Sequence, residues 1–110
     1  MTNDAIIERW RVQRQNATRE LNAAQEQAQS AEVAAATAMS ADADLRTHLG
    51  SIAAPAPFIQ AELKRSGEEA RKAAEAKQSA LRKVRKAEQI IAQLDQAAEQ
   101  LKAAGIFKGE

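Results

Sequence analysis

Apolar and small residues recur along this chain at a spacing of three and four, in two separate blocks. In the first block one row of sevens runs Ile7, Arg14, Leu21, Ala28, Ala35, Asp42, Leu49. The row three residues on runs Trp10, Ala17, Ala24, Ala31, Ala38, Leu45. The second row is apolar throughout, and the first is broken only by Arg14 and Asp42. The second block repeats the pattern with Leu63, Ala70, Lys77, Val84, Ile91, Ala98 and with Ser66, Ala73, Ala80, Ala87, Leu94, Leu101. Heptads sustained this long predict coiled-coil seams.

The boundaries follow from local chemistry. Thr2, Asn3 or Asp4 can cap the first helix, because a short side-chain oxygen accepts from an orphan backbone N–H. Gly50 ends it, and Pro57 suits the first position of the second helix. Gly105 falls where a left-handed C-terminal cap is expected. The expected layout is therefore one domain over residues 1–110: helix one at 3–49, a turn at 50–56, helix two at 57–104 and a short apolar tail at 105–110. The segment SGEE, Ser66–Glu69, is a capping-box pattern, so a kink at 66–67 stands against the unbroken heptad phase on either side of it.

A connection this short places the helices antiparallel. Folding the chain back near residue 54 or 55 pairs positions whose numbers sum to about 108–111. Leu49 then meets Ile59, Leu45 meets Leu63, Leu21 approaches Ile90 and Trp10 meets Leu101. At the waist, Ala28, Ala31, Ala35 and Ala38 meet Ala80, Ala76, Ala73 and Ala70. The fold class expected is all-α: a long antiparallel helical hairpin, an Ala-rich coiled coil. Ile6, Ala34, Met39, Ala41, Leu81, Ile90, Ala97 and Ala104 flank the seam and widen its apolar stripe, which suits self-association into a four-helix bundle.

Composition narrows the function classes. The chain is 45% hydrophobic but only 3% aromatic, with no cysteine and one histidine. Disulfides and four-thiolate metal sites are excluded, and no cofactor is expected. No run approaches the roughly 18 apolar residues of a membrane span. The N-terminus places acid before its short apolar patch, unlike a secretory signal, so a soluble cytoplasmic protein is expected. His48 has no recognisable nucleophile beside it, and packed alanines leave little room for a pocket. Catalysis is not expected.

Charge adds one candidate surface. The net charge is +1, but residues 1–50 carry five Lys/Arg against seven Asp/Glu, and residues 51–110 carry eleven against eight. Lys64, Arg65, Arg71, Lys72, Arg82, Lys83, Arg85 and Lys86 recur on the outward face of helix two. Such a stripe could follow phosphates, with affinity falling as salt rises, or meet an acidic protein surface. It could equally be a solvated coiled-coil exterior, partly neutralised by pairs such as Glu68 with Lys72. The second candidate is the tail, where Ile106 and Phe107 either plug the end against Ile6, Ile7 and Trp10 or join Trp10 as an exposed anchor for another protein. Arg14, Asp42 and Lys77, polar within the seam, are expected to set register.

The function these features point to is a non-enzymatic helical interaction module: an adaptor, scaffold or inhibitor of a larger protein assembly. A nucleic-acid-associated protein using the basic stripe is the alternative. A lipid-surface helix protein is the third class, weakened because bulky apolar residues cluster at the helix ends. No family motif can be quoted from these residues.

Overall fold

The computed structural model describes residues 3–107. The chain is all-α, with helix α1 over Asn3–Leu49 and helix α2 over Pro57–Ala103, packed against each other as a helical hairpin. Each helix has 47 residues. Every heptad position named above is shielded or half-shielded from solvent, whereas most other positions on both helices are exposed. The expected seam is therefore the seam observed. Its most buried members are alanines, because a methyl side chain is all that fits where two helix backbones approach closely.

Helix α2 runs unbroken through residues 66–67, so the capping-box pattern of Ser66–Glu69 does not act as a start signal. Helical propagation on both sides, with the seam in phase, outweighs one local cap. The helix ends at Ala103, one residue before the expected limit. Thr2, a candidate cap, and residues 108–110 of the tail lie outside the described residues.

The turn is built from local contacts. Leu49 closes α1, and the Gly50 N–H donates to the Arg46 carbonyl at 2.8 Å. A Cβ on Gly50 would run into that same carbonyl, which is why a residue without one stands there. Pro57 opens α2, as its fixed φ favours, and the Gln60 N–H donates to the Ala56 carbonyl at 3.0 Å. The Gln60 side chain donates to the Pro55 carbonyl, also at 3.0 Å.

The residues form two compact units: a terminal unit of Met1–Gln25 with Arg82–Glu110, and a turn unit of Glu26–Leu81. In the terminal unit Ala17, Ala24, Ala87 and Phe107 are buried; in the turn unit Ala28, Ala35 and Ala80 are. Ala76, expected opposite Ala31, is exposed. Summing residue numbers ignores heptad phase, and Ala76 lies one position outside the row that contains Lys77.

Candidate functional site

In the terminal unit the tail is fixed by helix-end chemistry. Gly105 has φ +78°, the left-handed conformation favoured at this position. Its N–H donates to the Lys102 carbonyl at 3.0 Å, and the Ile106 N–H donates to the Leu101 carbonyl at 2.9 Å. This pair of bonds is the Schellman motif. The Phe107 N–H also reaches the Leu101 carbonyl, at 3.1 Å. The reversal brings Phe107 edge-on to Trp10, with ring centroids 4.9 Å apart and planes at 63°. Phe107 is 4% exposed, and Trp10 and Ile106 are half-buried. The Trp10 indole N–H donates to the Leu94 carbonyl at 2.7 Å. Trp10 and Phe107 are thus brought together, and Ile106 precedes Phe107 half-buried.

Of the polar seam residues, Arg14 and Asp42 engage the facing helix, and Lys77 pairs with no other described residue. Arg14 Nε meets Asp95 Oδ1 at 2.9 Å, and Arg14 Nη1 donates to Thr18 Oγ1 at 2.7 Å. In the turn unit Arg46 Nε donates to both Asp42 oxygens, at 3.2 and 3.1 Å. Arg46 Nη2 reaches over to the Leu63 carbonyl at 3.4 Å. It passes beside Gly67, where a Cβ would lie 2.8 Å from Arg46 Nη2, the far end of a flexible side chain. The Arg46 guanidinium, and after it the Ser66 hydroxyl, hold the Asp42 carboxyl below its ordinary value. Asp42 with Ser66, Arg46 with Leu63 and Arg14 with Asp95 all have numbers summing to 108 or 109, the register expected of the fold.

All eight candidate cations are exposed, but their pairing differs. In the turn unit Arg65 Nη2 pairs with Glu62 at 2.6 Å, and its Nε lies 3.9 Å from Glu69. Arg71 pairs with Glu75 at 2.9 Å. The expected Glu68–Lys72 bridge is not formed, and neither Lys64 nor Lys72 pairs with another described residue. In the terminal unit Arg82, Lys83, Arg85 and Lys86 form no ion pair among the described residues. Which cations keep their charge unopposed depends on rotamer and reach, so composition did not disclose it.

One surface feature was not anticipated. In the turn unit Met39, Ala43, Ala70 and Ala74 line an open apolar groove of about 420 Å³, bordered by Asp42, Arg46 and Arg71. Met39 is 57% exposed. His48, at the end of α1, has its Nδ1 2.7 Å from the Asp44 carbonyl. Among the described residues no group of three or more metal-ligating side chains occurs, and no helix is long and apolar enough to cross a membrane. Comparison with family models, with curated proteins and with solved structures finds no match for this chain.

Proposed function

We propose that the protein is a non-enzymatic helical interaction module, an adaptor, scaffold or inhibitor that completes its apolar seam against helices of a larger protein assembly. One observation supports this reading: the seam is incompletely covered. Among the described residues the buried hydrophobic set is six alanines and Phe107, and no side chain falls below 2% exposure. Leu21, Leu45, Leu63, Val84, Ile91, Leu94 and Leu101 are mostly shielded, yet each keeps part of its surface open to solvent. Apolar surface left at this level gains free energy on contact with another apolar stripe. A cytoplasmic location goes with this reading.

Affinity capture from the source lysate, with cross-links mapped to residues, tests it. Retained proteins should cross-link beside the seam, and a variant with Leu21 and Leu45 both replaced by Asn should lose them. The reading fails if the variant retains the same proteins as the wild type.

The four unpaired cations Arg82, Lys83, Arg85 and Lys86 support a second reading, contact with nucleic-acid phosphates. Filter binding of a duplex at low salt should then show retention that falls steeply as salt rises. No retention at low salt ends that reading.

A further inference from the structure

We propose that the outward face of α2 in the terminal unit enters the major groove of duplex DNA, with its cations on phosphates and its glutamines on base edges. This deepens the phosphate-contact reading and rests on it.

The face is uniform in its chemistry. At about 100° of turn per residue, Arg82, Arg85 and Lys86 open a narrow sector that Gln89, Gln93, Gln96 and Gln100 continue. No other residue between 82 and 100 falls inside it, and all seven of these side chains are exposed. The acids of the same stretch, Glu88, Asp95 and Glu99, lie outside the sector. Asp95 is held by Arg14, and Glu99 lies 3.8 Å from Lys102. No described residue bonds the side-chain amides of the four glutamines.

The order of the two chemistries along the helix suits a groove. The cations come first, with Lys83 beside them, where they can seat on phosphates. Gln89 to Gln100 then spans about 17 Å, or about five base-pair steps. A glutamine amide offers a donor and an acceptor at once, which matches N7 and N6 of adenine in the major groove. That groove is about 12 Å wide and admits one α-helix. Here the second helix of the hairpin packs on the opposite side, against the seam.

Other partners leave part of this face unused. The major groove of an RNA duplex is too deep and narrow for side chains to read. A single strand is held by stacking on open aromatic rings, whereas in this unit Phe107 is buried and the Trp10 indole is bonded to the Leu94 carbonyl. An acidic protein surface would engage the cations and leave the glutamine row idle.

Filter binding of the full chain tests the proposal. A DNA duplex selected from a randomised pool should be retained at low salt. The logarithm of affinity should fall by about 3.6 per decade of salt if all four cations are engaged, and Arg82→Gln with Lys86→Gln should lower that slope by about two. The same duplex carrying deaza-adenine, which lacks the N7 acceptor, should bind the wild-type chain about tenfold more weakly. The double variant Gln89→Ala, Gln93→Ala, whose alanines favour helix, should bind both duplexes alike. Equal wild-type affinity for the two duplexes, or for the corresponding RNA duplex, overturns the groove assignment and leaves phosphate contact standing. Displacement of the duplex by polyglutamate at equal charge would give the cations to an acidic protein and overturn it as well. No retention of any nucleic acid at low salt ends both readings.

Discussion

The terminal and turn units share one packing rule and differ in how they finish. Both are centred on alanine. The terminal unit then closes with rings, placing Phe107 at 4% exposure, whereas the turn unit leaves Phe58 75% exposed. Their charge differs too: the terminal unit holds ten Lys/Arg against seven Asp/Glu, and the turn unit six against eight. Each has polar clasps across the helix pair, Arg14 with Asp95 and Trp10 with the Leu94 carbonyl in the first, Arg46 with the Leu63 carbonyl and Asp42 with Ser66 in the second. The lesson is that an alanine seam brings two backbones close, and the units then differ in the long and bulky side chains that reach across it.

Substitution of the two phenylalanines is the sharpest way to break this contrast. Phe107→Ala should cost about 3 kcal/mol, at the lower end for a buried aromatic because the tail can relax. Phe58→Ala should cost less than about 0.5 kcal/mol, as for an ordinary surface position. Urea unfolding of both variants measures the difference, and equal costs would erase the distinction between a closed and an open unit.

A smaller effect is expected at the cap. Gly105→Ala should cost about 1 kcal/mol, because a side chain disfavours left-handed φ. A Cβ there meets nothing within 4 Å, so the loss is conformational and not steric. Gly105→Asn, which tolerates this conformation, should recover part of it in the same thermal melts. If Ala and Asn behave alike, backbone strain is not the cause.

The smallest effect concerns pH. Asp42 titrates below its ordinary value in the folded chain. Its contribution to stability is therefore complete above the usual carboxylate pKa of about 4 and is lost as pH falls through the lowered folded value. Asp42→Asn should flatten the acid limb of stability below about pH 4 and leave the slope at neutral pH untouched. An unchanged acid limb would show that Arg46 and Ser66 do not favour the ionised form.

Much of this molecule is legible from periodicity alone. The four heptad rows, Pro57 at the start of α2 and the left-handed Gly105 all follow from side-chain spacing and backbone preference, which act locally. The notch at Gly67 is not legible that way. In sequence it resembles a helix interruption, and in the structure the tip of Arg46 from the other helix lies beside it. The Trp10 bond to the Leu94 carbonyl escapes for the same reason, as an indole seeking an acceptor can find one at several depths along a facing helix. Ala76 fails differently, because antiparallel partners must agree in phase as well as in number. Among the candidate contact residues, exposure of the cations was foreseeable. Their division into neutralised Arg65 and Arg71 and unopposed Arg82, Lys83, Arg85 and Lys86 was not.

The lone tryptophan sits where it can serve as an optical gauge. Its indole is bonded to a helix carbonyl and touched by the Phe107 ring, so its emission wavelength follows undocking of that end of the chain and is blind to the bend at residues 50–56. Far-ultraviolet dichroism sums over every helical turn. Melting curves recorded by the two signals would superimpose if the protein unfolds as one body and separate if the ends loosen first.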